Sequence, residues 1–416
     1  MHYFDYKNGR FHAEGVPVER IAKAVGTPCF IYSHKTLVRH YHAFTKAFEK
    51  TPHIICYSVK ANSNIAVLNT FAKEGSGFDI VSGGELYRAL KAGADPHRIV
   101  FSGVGKREDE LEYAIRQGIL MLNVESPGEL RLINKVAGRL KKRAGIAIRV
   151  NPDVDAKTHP YISTGLKSNK FGIETEAAAS EYLHAKRYLR NLDLIGIDCH
   201  IGSQITQLDP FVDALRKTRG LIERLRGEGV DIRYLDMGGG LGIAYDGERP
   251  PSPSRYGRAI IREVRNLDLT LIFEPGRVMV GNAGILVTEV LYTKENGGKH
   301  FIIVDAAMND LARPGLYGSY HAIKAVRKGR GRKEIIADVV GPICESGDFL
   351  AKERGLPPFE SGDLMSVMSA GAYSFSMSSN YNSRPRVAEV MVRGREFAVV
   401  RARESYRDLV KGEKIW

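Results

Sequence analysis

Lys60, in the segment Tyr57-Ser58-Val59-Lys60-Ala61-Asn62, closes an apolar run. An amine at the end of a buried strand is desolvated; desolvation lowers its pKa, and the neutral amine is a nucleophile. The same place also suits a lysine that merely snorkels out of a strand end. His200, in Asp198-Cys199-His200-Ile201-Gly202-Ser203-Gln204, ends another apolar run. Its ring could stack on a planar ligand, act as a base, or sit satisfied in the core. Gly238, Gly239 and Gly240 follow one another within Asp236–Gly242. Successive glycines allow close backbone approach and can aim several N–H groups at one anion. Glu274-Pro275-Gly276-Arg277 ends a further run. Its carboxylate could bond a protonated heterocyclic nitrogen. Gly276 and Arg277 could add donors for an anion, and the guanidinium could clamp a carboxylate. A structural Glu–Arg pair is the plain alternative. Cys344-Glu345, within Gly341–Asp348, offers a proton donor beside an amine ligand, or else an inert small side chain.

These residues need elements to place them. From about residue 50 to 275, short apolar runs alternate with amphipathic stretches. The runs are His53–Val59, Phe78–Val81, Ile99–Ser102, Ile119–Val124, Ile146–Val150, Leu194–His200, Ile232–Asp236 and Leu269–Glu274. Between them lie helix-like segments such as Gly84–Ala92, Arg107–Gln117, Pro127–Leu140, Thr175–Tyr188 and Pro210–Arg226. The alternation predicts parallel strands with right-handed crossovers, and the number of runs favours an α/β fold of the (β/α)8 TIM-barrel type over an open doubly wound sheet. Lys60, His200, the glycine run and Glu274 then all stand at C-terminal strand ends, where barrels keep their reactive groups. Beyond residue 280, the runs Ile285–Tyr292, His300–Val304, Glu334–Val340, Leu364–Ser369, Arg386–Val392 and Glu396–Val400 succeed one another with Gly, Pro and charged turns. They predict a second, mostly antiparallel β domain. The expected division is a barrel over 26–280 and a β-rich domain from 1–25 and 281–416.

Composition narrows the class. The chain has 416 residues, 43% hydrophobic and 26% charged, as a globular chain of about two domains would. No apolar run is long enough to cross a bilayer, and Met1–Gly15 does not read as a signal peptide. Four scattered cysteines without a CxxC or His-rich cluster argue against zinc and a disulfide framework, and fit a cytoplasmic setting. The net charge of +13 suits nucleic acid or an anionic small molecule. Its densest cluster, Arg327–Lys333, reads as a solvated loop, and no nucleic-acid motif accompanies it.

A lysine, a carboxylate and a glycine cradle at strand ends of one barrel point to pyridoxal 5′-phosphate, whose aldehyde needs an amine, whose phosphate needs N–H donors and whose ring nitrogen needs an acid. The chain resembles the diaminopimelate decarboxylases, pyridoxal-phosphate enzymes with an alanine-racemase-type barrel, from Thr27-Pro28-Cys29-Phe30-Ile31-Tyr32 to about Arg403. The motifs that carry the resemblance are Tyr57–Asn62, Phe78–Glu85, His159–Leu166 with Lys170–Ile173, His200–Gln204, Gly238–Gly242, Glu274–Arg277, Met308–Pro314, Gly341–Asp348 and Gly371-Ala372-Tyr373. The wider group includes ornithine and arginine decarboxylases. Cys344 followed by Glu345, where ornithine enzymes typically carry aspartate, favours the diaminopimelate branch, as do Ile162–Leu166 and Asn309–Pro314.

The resemblance implies decarboxylation of meso-2,6-diaminopimelate to L-lysine and carbon dioxide, the last step of lysine biosynthesis. It implies that Lys60 forms a Schiff base with the cofactor, His200 stacks on its ring and Glu274 keeps its nitrogen protonated. Asp79, Ser203, Gly238–Gly240, Gly276, Arg277 and Tyr373 would complete the cofactor site. Arg277, Arg313 and Tyr317 would hold the distal carboxylate of the substrate, Glu345 its distal amine, and Tyr373 would touch cofactor and substrate. Cys344 would donate the proton. In the family Cys344 and Glu345 come from the partner subunit, which implies a homodimer with shared active sites. No metal, nucleic acid or membrane is expected.

Overall fold

A computed structural model of the chain describes residues 2–156, 158, 162, 164–165, 169–329 and 333–416. Within the expected motifs, His159, Pro160, Tyr161, Ser163 and Leu166 lie outside the described residues, as do Arg330, Gly331 and Arg332 of the basic loop. The chain forms two compact units. One comprises His40–Ile243 and Arg249–Val278, the other Met1–Arg39, Ala244–Glu248 and Met279–Trp416.

The first unit is a closed parallel barrel. Its strands are β1 (His53–Ser58), β2 (Gly77–Ile80), β3 (Ile99–Phe101), β4 (Met121–Val124), β5 (Ala144–Asn151), β6 (Leu192–Asp198), β7 (Tyr234–Asp236) and β8 (Thr270–Phe273). Each pairs in parallel with the next, and β8 pairs back to β1, which rules out the open sheet. Strands covered on both faces read as continuous apolar runs, which is why all eight were legible. Three of the crossover helices begin at serine caps: Ser82 Oγ accepts from Glu85 N, Ser126 Oγ from Glu129 N and Ser252 Oγ from Arg255 N.

The barrel interior is layered. Cys56, Val100, Met121, Ala147, Ile195 and Ile272 form one apolar cluster. Two residues further along, five of these six positions lead to Ser58, Ser102, Asn123, Arg149 and Glu274, and the sixth, on β6, to Ile197. Side chains two apart share a face, so this register places a polar layer directly above an apolar one, toward the C-terminal strand ends.

The second unit is a mixed, mostly antiparallel sheet. Its strands run in the order Phe349–Leu356, Ile335–Val340, Lys299–Val304, Gly284–Asn296, Cys29–Ser33, Ala388–Arg393 and Glu396–Arg401. A small sheet of Phe4–Lys7, Arg10–Ala13 and Val16–Pro17 shares its core, with Phe4, Phe11 and Val16 packed in one cluster with Ile31, Ile285 and Val390. Cys29–Ser33 pairs with Gly284–Asn296 and with Ala388–Arg393, so the chain enters the barrel unit after Arg39 and not at residue 26. The reason is that this run looks like any barrel strand followed by a helix, while its partners lie more than two hundred residues on.

Candidate functional site

Lys60 sits in a 3-10 turn, Val59–Ala61, immediately after β1. Its Nζ is ion-paired with Asp79 Oδ2 at the end of β2. Ser58 Oγ donates to the same carboxylate oxygen at 2.7 Å and lies 2.8 Å from the Glu274 carbonyl oxygen. One third of the Lys60 side chain stays open to solvent, whereas that of Asp79 is fully buried. The lysine is therefore a reachable amine held at one end by an anchored anion.

Glu274 follows β8 and is buried. Its Oε1 accepts from Ser102 Oγ at 3.0 Å and lies 3.3 Å from Asn123 Nδ2. Burial, with the nearby Asp79 charge, pushes its carboxyl up to about 7, while Lys60, Asp236 and Ser102 oppose the rise. Asp198 and Asp236, at the ends of β6 and β7, are both raised well above the usual carboxylate range, chiefly by burial and then by Glu274. Arg149 on β5 is the fixed cation of this layer, bonded to Glu125 Oε1 at 2.7 Å.

The loops after β6, β7 and β8 are tied together. Gly239 N donates to His200 Nδ1 at 2.9 Å, so the ring proton belongs on Nε2. Burial, then Arg149 and Lys60, hold His200 well below its usual pKa, so it is a neutral, flat ring. Ile205 N donates to the Gly240 carbonyl at 2.8 Å, and Arg277 Nη2 donates to Ser203 Oγ at 3.1 Å. The glycines are required by contact: a Cβ on Gly238 would stand 2.3 Å from His200 Nδ1, and one on Gly239 would stand 2.3 Å from the Glu274 carbonyl oxygen. Gly276 is buried in the turn before Arg277. The expected cradle is narrower than the glycine run suggests. Gly238 N is spent on Asp236 Oδ1 at 2.9 Å and Gly239 N on His200; only the Gly240 N–H has no partner among the described residues.

These residues fit pyridoxal phosphate. The unit presents an open amine, a buried acid, a neutral flat ring, a turn without Cβ atoms and the hydroxyl and guanidinium of Ser203 and Arg277. Within it, Asp79 Oδ1 is buried without a hydrogen-bond partner among the described residues.

The remaining expected residues lie in the other unit. Arg313 begins the helix Arg313–Tyr317 and is buried. Its Nη1 lies 3.0 Å from His321 Nε2, its Nη2 donates to Ser319 Oγ at 3.1 Å, and its guanidinium stands 4.6 Å from the Tyr245 ring centroid. His321 Nδ1 is 2.8 Å from the Met368 carbonyl, which can only accept; Nε2 is thus the acceptor for Arg313. Tyr317 ends the helix, half-buried, and Tyr373 takes a left-handed φ of 54°. Cys344 and Glu345 are exposed, on a turn stapled by Asp348, whose Oδ2 accepts from Ile343 N at 2.7 Å. Asn382 Oδ1 accepts from Cys344 N at 3.0 Å, and a hydrogen bond to Glu345 pushes the Tyr381 hydroxyl up. A Cβ on Gly315 would come 2.9 Å from the Gly347 carbonyl oxygen, which brings the Arg313 helix against the cysteine turn.

Sequence reasoning did not single out Ser58, Ser102, Asn123, Arg149 or Asp236. Their signal was present as one polar residue at the end of each apolar run, yet each alone looks like an ordinary strand end.

Comparison with known proteins adds to this geometry. Residues 34–281 match the family model for the pyridoxal-binding domain of pyridoxal-dependent decarboxylases. Over 411 residues the chain is 55% identical to a diaminopimelate decarboxylase of Vibrio cholerae, covering 98% of each chain. It is 52% identical to that of Pseudomonas aeruginosa, covering 100% of this chain and 99% of the relative. The crystal structure of the Helicobacter pylori diaminopimelate decarboxylase complexed with L-lysine superposes with a TM-score of 0.92 at 44% identity, covering 94% of this chain and 98% of that one. The M. jannaschii enzyme in co-complex with L-lysine gives 0.94 at 36% identity, covering 99% and 98%.

Proposed function

The chain belongs to the diaminopimelate decarboxylases, pyridoxal-phosphate-dependent enzymes, and from that premise we propose that it converts meso-2,6-diaminopimelate to L-lysine and carbon dioxide, with Lys60 as the covalent anchor of the cofactor and Cys344 as the proton donor. The observation that carries this reading is the meeting of Lys60, Asp79, His200 and Glu274 at the C-terminal strand ends of one barrel. When bound, pyridoxal phosphate supplies a protonated aromatic ring that takes up the electron pair released as the Cα–carboxylate bond breaks.

The chain's own residues supply position and charge. Asp79 fixes the Lys60 amine in place. Glu274 holds the proton at the ring nitrogen, and the neutral His200 ring offers a flat face without a competing charge. Ser203, the Gly238–Gly240 and Gly276 turns and Arg277 would seat the phosphate, and Tyr373 would touch cofactor and substrate. Arg277, Arg313 and Tyr317 read the distal carboxylate of the substrate, and Glu345 reads its distal ammonium. An analogue lacking the distal carboxylate would forgo the charge-assisted bonds to the buried Arg277 and Arg313 guanidiniums, at a cost of several kcal/mol. Cys344 returns a proton to Cα. The exposure of Cys344 and Glu345 on a rigid turn suits a homodimer in which the partner subunit's Cys344 and the partner subunit's Glu345 complete each site. Four free cysteines suit a cytoplasmic setting.

Incubation of the purified protein with pyridoxal phosphate and meso-diaminopimelate tests the reading. L-Lysine and carbon dioxide are the expected products; carbon dioxide from ornithine, arginine or carboxynorspermidine in its place would overturn it.

A further inference from the structure

His321 is fully buried, in the connection between the Arg313–Tyr317 helix and the strand Ile323–Ala325. Arg313 Nη1 lies 3.0 Å from its Nε2, and the Met368 carbonyl oxygen lies 2.8 Å from its Nδ1. A guanidinium only donates and a carbonyl only accepts. The two bonds therefore fix one state of the ring: neutral, with the proton on Nδ1 and the lone pair of Nε2 turned to Arg313. The backing of this ring is rigid. Ile323–Ala325 pairs antiparallel with Leu364–Val367, which pairs in turn with Gly284–Asn296. Met368 N donates to the Ala322 carbonyl at 2.8 Å, and Arg354 Nη1 donates to the His321 carbonyl at 2.9 Å. The imidazole is thus fastened to a sheet through one nitrogen and presents an acceptor at the other. The Tyr245 ring meets it edge-on, with centroids 5.3 Å apart.

We propose that His321 is a positioning residue for substrate selection: it aims the Arg313 guanidinium at the distal carboxylate without taking up its charge. The inference rests on the assignment of Arg313 made under the proposed function. Nη1 is held by the imidazole and Nη2 by Ser319 Oγ at 3.1 Å, so both arms of the guanidinium are restrained and its plane is set. Both of these acceptors are neutral. A carboxylate in either place would orient the group equally well, but it would cancel the positive charge that has to attract the substrate. A neutral acceptor backed by a sheet orients the cation and leaves its charge for the substrate to meet. An amino acid without a distal carboxylate gains nothing from this arrangement. His321 therefore acts on the choice among substrates, not on the bond that breaks.

Steady-state rates of the full chain with pyridoxal phosphate and meso-diaminopimelate test it. His321→Asn keeps a donor for the Met368 carbonyl but leaves nothing that reaches Arg313, whereas His321→Gln puts an amide oxygen near the place of Nε2. His321→Asn should raise KM about tenfold or more, with kcat kept within about threefold. His321→Gln should recover most of that loss. In an Arg313→Ala background His321→Asn should add little, because the group it positions is gone. Equal losses from the two variants, a loss of kcat with KM unchanged, or the same rise in KM without Arg313 would each overturn the proposal. Where Arg313→Ala alone raises KM, those results leave the assignment of Arg313 standing; where it does not, that assignment fails and the proposal fails with it. Nitrogen-15 spectra of the histidine-labelled wild type need no variant. A neutral ring protonated at Nδ1 is expected, and its absence overturns the proposal even if His321→Asn does not fold.

Discussion

Lys60 Nζ and Ser58 Oγ converge on one oxygen of Asp79, so a strand-end lysine and the strand's own last residue share a single buried acceptor. Asp79→Ala removes that acceptor. The loss should lower stability by about 1–3 kcal/mol, at the lower end because a third of the lysine side chain is in water. Asp79→Asn, which can still accept from Ser58, should lose less. Denaturant titration of the two variants checks the order; equal stability of all three proteins would mean that the pair holds nothing.

Burial pushes the Glu85 and Asp310 carboxyls up to about 7, so the pH dependence of stability is shared among three carboxyls, the third of which is Glu274. Its folded pKa, about 7, is above the ordinary 4.5, so between these values the folded state binds more protons than the unfolded one. Stability of the cofactor-free chain should therefore fall as pH rises from about 4.5 to about 7, with Asp198 and Asp236 extending the fall above that window. Glu274→Gln should remove one carboxyl's share of the fall below 7. Melting temperatures across this range decide it, and a melting temperature that rose with pH there would refute the assignment of burial as the cause.

The barrel was readable in advance because eight strands buried on both faces leave eight apolar runs, and the helices between them keep their period. Closure was not readable. The pairing of β8 with β1 is a contact between His53–Ile55 and Leu271–Phe273. The polar layer was hidden for the same reason: Asn123, Asp198 and Asp236 end three separate runs, and only closure turns them inward upon Glu274. Consecutive glycines were readable as a close approach, but the partners of their N–H groups were not. Two of the three N–H groups serve Asp236 and His200, which a spacing pattern does not reveal.

That use of the glycine turn gives a further expectation. A Cβ on Gly239 would stand 2.3 Å from the Glu274 carbonyl oxygen, and the turn must move to admit it. Overpacking of this kind costs ~1–3 kcal/mol. Gly239→Ala should also disturb the His200 Nδ1 bond, so cofactor affinity should fall about tenfold or more. Equilibrium titration with pyridoxal phosphate measures it. Unchanged affinity would place the phosphate away from this turn.

Lys60→Ala should leave the fold intact and abolish covalent attachment of the cofactor. Neither the absorbance band of a lysine-bound cofactor nor a borohydride-stable label should appear on the chain. A label that persists would assign the anchor to another lysine.

Cys344 separates proton delivery from binding. Its turn is held by Asp348 and Asn382 independently of the thiol, so Cys344→Ala should leave melting temperature and cofactor affinity near those of the wild type. Loss of a positioned proton donor should cost about 100- to 10,000-fold in kcat. KM for meso-diaminopimelate should change far less, since Glu345, Arg313 and Arg277 are untouched. Steady-state rates set beside cofactor titration make the comparison. Turnover within a few-fold of the wild type would move the donor's role to another group, and a parallel loss of cofactor affinity would make the cysteine a binding residue instead.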